Sequence, residues 1–310
     1  MVITTKQIRI LAATAIALAW LLYAVFYFQL PAYPRATSSS ISLWQFPAVW
    51  TISWTALVII DHLGWGKASK PAFLYFLIFV ATTAPLGFLP HLGQGVYWAG
   101  PSVCYKACAT VAIDWLGGLV PIMTAGATVL VRIGTRKHPR PLGWLGASLT
   151  TILALFVLVL FHEVTALGII TETASGGLAA LAAFFLVSHP NPEGRSEPTL
   201  SRNRLDWRQT VARAATIYSI LAIAYFLADV VSLPLLLTPT ITVGTGSMWV
   251  IGGEGTGDGN FLYPLAAFVA YPLTLLLYRA VIRVKMMWQR VSRTKQCKTR
   301  EPGSDSMKWK

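Results

Sequence analysis

Long apolar runs in this chain are separated by short polar connections rich in arginine and lysine. About twenty residues of helix cross a hydrocarbon core. Eight stretches meet that length: residues 9–30, 43–60, 71–90, 108–131, 143–164, 167–187, 210–232 and 260–282. The pattern therefore predicts an all-α, polytopic membrane helix bundle. The first run follows Lys6 and Arg9 and ends at Gln29, Pro31 and Pro34 without small residues at a cleavage position. It reads as a retained helix and not as a signal peptide.

Charge then orients the bundle. With the N-terminus inside, 23 of the 25 basic residues fall on inner segments, and only Arg35 and Lys106 fall outside. Such asymmetry follows the positive-inside rule and predicts eight spans with both termini cytoplasmic in a cell membrane. Residues 1–187 form a six-helix membrane part, 188–209 a cytoplasmic linker rich in proline, and 210–288 a two-helix part. Residues 289–310 form a basic cytoplasmic tail placed to meet anionic lipid. Tryptophans near span ends suit an interfacial belt.

Composition narrows the function. The chain is 55% apolar and 12% charged, about half the charged fraction of a soluble domain. Its net charge of +13 follows from topology. No nucleic-acid motif accompanies it. The partners expected are the lipid bilayer and an ion or small solute. No cofactor is called for, since phosphate loops, haem-attachment and zinc-protease motifs are missing from the sequence. Cys104 and Cys108 could close a local disulfide, supply half a metal site or remain free thiols.

Residues 233–259 stand apart. They carry Pro234 and Pro239, then Gly244, Gly246, Gly252, Gly253, Gly255, Gly257 and Gly259. So many glycines disfavour a continuous lipid-facing helix. Irregular backbone at membrane depth must be buried in protein or line a wet cavity. The segment reads as a re-entrant or broken element on the outer side, and an apolar outer loop is the plainer alternative. Residues 170–185 and 252–270 share a loose pattern of an acid, glycines and an apolar run, as unrelated apolar stretches often do.

The acids carry the candidate chemistry. Asp114, Glu163, Glu172, Asp229, Glu254 and Asp258, with His162, project to the outer half of the membrane, where few basic residues can pair with them. Ionisable groups in spans mark ion pathways and proton relays. Three chemistries fit: a carboxylate pair activating water, a pathway for a cation or proton, or a divalent metal held by His162 with carboxylates. Plain exposure near helix ends fits several of them equally. No metal set is assigned. Asp229 and Asp258 lie at neighbouring outer ends of antiparallel spans, so a catalytic pair is expected if they meet. Otherwise Asp258 caps the last helix.

Two resemblances bear on this. Gly117-Gly118-Leu119-Val120-Pro121-Ile122, Ala166-Leu167-Gly168-Ile169, Ala228-Asp229 and Ile251-Gly252-Gly253-Glu254-Gly255-Thr256-Gly257-Asp258-Gly259-Asn260-Phe261-Leu262 resemble the uncharacterised prokaryotic membrane family called domain of unknown function 1614. The likeness covers roughly residues 110–280 and implies that Asp229 and Asp258 matter, without naming a reaction. Gly255-Thr256-Gly257-Asp258 is also similar to the motif of GxGD intramembrane aspartyl proteases, which implies Asp229 as the second catalytic carboxylate. Here Asp229 follows Ala228 and not tyrosine, and no Pro-Ala-Leu follows in a later helix. Transport, proteolysis and a membrane scaffold role all stay open at this point.

Overall fold

The structure is a computed structural model, described for residues 9–10, 12–21, 45–62, 66–86, 97–104, 108–135, 141–160, 162–165, 168–171, 173–188, 206–232, 241–243, 246–252 and 259–299. Helices dominate. They are α1 (Ala12–Leu21), α2 (Gln45–His62), α3 (Gly66–Leu86), α4 (Val120–Thr135), α5 (Pro141–Leu160), α6 (Thr173–Ser188), α7 (Trp207–Ser232) and α8 (Gly259–Thr299). Two of them hold stretches long and apolar enough to cross a membrane, Trp207–Val231 and Gly259–Gln289. Five further apolar helical stretches are shorter among the described residues.

The core is built from aromatic side chains set into faces of small residues. Tyr75, Phe76 and Phe79 of α3 are fully buried. They meet Ala179, Ala180, Ala183 and Phe184 of α6, and Ala266, Ala267 and Ala270 of α8. Tyr75 stacks on Phe184 at 4.7 Å between ring centroids. Alanine faces let helix axes approach closely, which suits association without a hydrophobic driving force. Tyr75 Oη donates to the Ala267 carbonyl, and the Phe79 and Tyr263 rings lie 6.2 Å apart. These two contacts set α3 antiparallel to α8. Many threonines bond back to the carbonyl four residues earlier, as Thr83 does to Phe79 and Thr274 to Ala270, so their hydroxyls need no water.

Helix ends have local causes. Asp206 Oδ1 accepts the N–H groups of Arg208 and Gln209 and so caps α7. Asp206 falls inside the linker expected at 188–209. Arg9 reaches His62 Nδ1 at 3.3 Å, tying the start of the first helix to the end of α2.

Strands appear where spans were expected to begin. β1 (Tyr97–Cys104) pairs antiparallel with β2 (Cys108–Asp114), and β3 (His162–Thr165) with β4 (Gly168–Thr171). β5 (Ile241–Val243) and β6 (Gly246–Ile251) form another hairpin, and β6 lies parallel to β2. One four-stranded sheet thus runs β1-β2-β6-β5. Three expected boundaries are corrected. Residues 108–114 are strand, and a π-helical turn at Trp115–Leu119 precedes α4. Residues 168–171 are strand before α6, and α5 ends at Leu160. Short apolar runs suit either state, and here pairing with a distant segment decides. In the glycine-rich segment, residues 241–243 and 246–251 form a hairpin that is held by β2. That satisfies irregular backbone within protein. Cys104 and Cys108 are opposed Cα partners in the β1–β2 ladder. The linker expected at 188–209 is shorter at both ends: Ser188 closes α6 and Trp207 opens α7, while residues 189–205 lie outside the described residues.

Candidate functional site

The parallel pairing of β2 with β6 brings the two helix-to-helix connections before α4 and α8 together. Beyond the paired strands the backbones nearly touch. Gly252 has a φ of +74°, a left-handed conformation that favours glycine. A Cβ placed there would meet the Gly117 carbonyl carbon and the Gly118 nitrogen. A Cβ on Gly118 would meet Ile113 and the Ile251 carbonyl oxygen. The contact of Gly252 with Gly117 and Gly118 therefore leaves no room for a side chain at Gly118 or Gly252.

Two acids flank this contact. Asp114 ends β2 and is fully buried. Its Oδ1 accepts the Gly117 N–H at 2.7 Å, so it caps the π-helical turn, and the Leu116 N–H also faces the carboxylate. Its Oδ2 is buried with no hydrogen-bond partner among the described residues. A buried carboxylate oxygen without a partner is costly. Asp229 sits near the end of α7 and is partly buried. Its Oδ2 accepts from Asn260 Nδ2 at 2.6 Å, and the Gly252 backbone N–H also bonds it. One carboxylate thus ties α7 to the first turn of α8 and to the end of β6.

An aromatic floor lies one turn below. Tyr225 precedes Asp229 by four residues and stacks on Tyr263 at 5.3 Å. Gly176, at the start of α6, abuts the Tyr225 hydroxyl and the Tyr263 ring. Gly259, at the start of α8, abuts the same two rings. The two glycine-led segments that look loosely alike in sequence therefore converge on one tyrosine pair.

Of the residues expected at the site, Asp114 bonds one member of the glycine contact, Gly117, and Asp229 bonds another, Gly252. Gly252 is the centre of that contact, and Gly259 packs beside Asn260. His162 and Glu163 lie in β3, in a separate two-stranded sheet. Glu172, Gly253, Glu254, Gly255, Gly257 and Asp258 lie outside the described residues, so the expected approach of Asp229 to Asp258 falls outside them as well. Among the described residues no three of His, Cys, Asp and Glu gather into a metal-binding group. Asn260, Tyr225, Tyr263 and the Gly117–Gly118 pair were not singled out as site residues. The signal for Asn260 was a polar side chain opening an apolar helix directly after the glycine run.

No family model, curated protein or solved structure matches this chain. The two resemblances rest on the residue patterns quoted for them.

Asp114 separates capping from charge. Asparagine caps as well as aspartate, so Asp114→Asn should change stability by less than about 0.5 kcal/mol through the cap, whereas Asp114→Ala should cost about 1 kcal/mol or more. Thermal unfolding in detergent measures both. Equal losses in the two variants would show that the charge, and not the cap, holds the turn.

Proposed function

We propose that the chain is a multi-pass membrane protein of about eight spans, with both termini cytoplasmic, that carries a cation or proton through an acidic site on its outer half. The observation that carries this reading is the Asp114 carboxylate, fully buried with one oxygen lacking a partner among the described residues. Acids of that kind mark ion and proton pathways. Asp229, bonded to the Gly252 N–H of the same glycine contact, supports it. Irregular backbone that joins two helices at such an acidic centre resembles the discontinuous elements of transporters. Glu172, Glu254 and Asp258, with His162 and Glu163, complete the pathway in this proposal.

Vesicles holding the purified protein test it. Cation- or proton-coupled flux should appear under an imposed gradient and fall at least tenfold in Asp114→Asn, Asp229→Asn and Asp258→Asn. Vesicles that move no ion under proton, sodium or potassium gradients would favour the scaffold role. Orientation is read separately by cysteine labelling. Residues 190–205 and both termini should label from the cytoplasmic side, and residues 92–103 from outside. An external C-terminus would remove the eight-span arrangement.

A second reading, GxGD-type proteolysis, is favoured by one contact. Asp229 bonds Asn260, which is two residues after Asp258 in the chain. Cleavage of a transmembrane peptide, lost in each single Asp→Asn variant, would favour proteolysis. Flux without cleavage would favour transport.

A further inference from the structure

Helix α8 is longer than a membrane requires. Its 41 residues extend about 62 Å, against about 30 Å of hydrocarbon. Its neighbours define where it leaves the bundle. The Asp229–Asn260 bond sets α7 antiparallel to α8, and α7 begins 22 residues before Asp229, at Trp207. The same distance along α8 from Asn260 reaches Ile282. Tyr75 lies level with Ala267, and α3 begins nine residues earlier, at Gly66. That is level with Leu276. Residues 283–299 therefore continue as helix past the described starts of both neighbours.

This extension has one chemistry. It carries Arg283, Lys285, Arg290, Arg293, Lys295 and Lys298 and no acidic residue. Apolar side chains are exposed at its base: Val284 is 62% exposed, Met287 67% and Trp288 74%. Tryptophan and methionine beside arginine and lysine suit the headgroup layer. By rise alone, Arg283 to Arg290 span about 10 Å just outside the hydrocarbon. Arg293, Lys295 and Lys298 follow within a further Debye length or so. A second copy of the chain is the poorer occupant, because two such helices would bring twelve like charges together.

We propose that residues 283–299 of α8 form a docking helix for anionic lipid headgroups. Several basic residues directly after a membrane helix attract an anionic leaflet. The inference rests on the bilayer embedding in the reading above and not on its transport chemistry.

Cys297 reports on it. In Cys104→Ser/Cys108→Ser protein, Cys297 receives an environment-sensitive fluorophore. The full chain is reconstituted in phosphatidylcholine vesicles, with or without an equal part of phosphatidylglycerol. The label should become protected from an aqueous quencher only with the anionic lipid, and high salt should reverse this. The docked-to-free ratio should fall roughly fivefold for each charge neutralised near the surface among Arg283→Gln, Lys285→Gln and Arg290→Gln. Equal protection in the two lipids, or protection unmoved by the triple variant, overturns the proposal. Lipid-independent cross-linking of Cys297 between copies overturns it in favour of self-association. Flux measured in the same vesicles keeps the two readings apart, since loss of lipid dependence leaves the transport proposal standing.

Discussion

Gly252→Ala should destabilise the protein by about 2–5 kcal/mol, the largest effect expected of an added methyl group at any glycine among the described residues. Two terms combine. A left-handed backbone costs alanine about 1–2 kcal/mol, and Gly252 has a φ of +74°. The added Cβ would also clash with backbone atoms of Gly117 and Gly118. Overpacking costs typically about 1–3 kcal/mol, and backbone yields less readily than a flexible side chain. Net stabilities are about 5–15 kcal/mol, so much of the folded population is at stake. Gly252→Asn tells the two terms apart. Asparagine tolerates the left-handed region better than alanine, so a clash-dominated site should reject both alike. Gly126→Ala is the control, because a Cβ there meets nothing within 4 Å. It should be neutral or stabilise α4 by up to about 1 kcal/mol. Thermal unfolding in detergent gives the comparison. If Gly252→Ala melts with the control, the glycine contact is not the constraint described above.

The helices were legible where one residue marks an edge. The expected start of the last span, residue 260, falls one residue from Gly259, where the glycine run gives way to apolar sequence. The end expected at 232 coincides with the end of α7. Its start lies three residues before the expected 210, because Asp206 caps the helix, and an aspartate before a helical run is a capping signal. The downstream end of α8 was not legible. Apolar character fades after residue 282, but nothing in residues 283–299 breaks a helix, and basic residues there satisfy topology whether helical or not.

The strands show a different limit. Residues 108–114 read CATVAID, and an apolar run of that length suits a helix start as well as a strand. What decides is β6, more than 130 residues away, which lies parallel to it. No local pattern contains that pairing. The site was legible in part for the same reason. Asp114 and Asp229 stood out because acids are rare within apolar runs long enough to span a membrane. The glycine contact between them needs Gly117–Gly118 and Gly252 to meet across the fold. Both belong to the motifs quoted above, but nothing local to either motif says that the two meet.

The Asp229–Asn260 pair should separate structure from transport. Asp229 Oδ2 accepts from Asn260 Nδ2, and the Gly252 N–H also bonds the carboxylate. A carboxylate offers two acceptor oxygens and no donor, while an amide offers one oxygen and one NH2 group. Asp229→Asn keeps one acceptor oxygen, puts an NH2 group where the second oxygen stood, and removes the charge that strengthens the bonds to Asn260 and Gly252. The loss should be about 1.5–3 kcal/mol, the range for a hydrogen bond to a charged group. Asn260→Asp instead sets two carboxylates side by side and should cost a similar amount. The exchange variant, Asp229→Asn with Asn260→Asp, restores one acid and one amide. Its stability should exceed the additive expectation by about 1–3 kcal/mol, as for residues in direct contact. Flux should not return with it. The Gly252 N–H addresses the position on α7, and the exchange moves the carboxylate from α7 to the first turn of α8. Recovered folding with absent flux is thus the result that assigns Asp229 to the pathway and not only to the join between helices. An exchange variant no more stable than additivity predicts would refute direct coupling of the pair. Full flux in Asp229→Asn would remove Asp229 from the pathway whatever its contribution to stability.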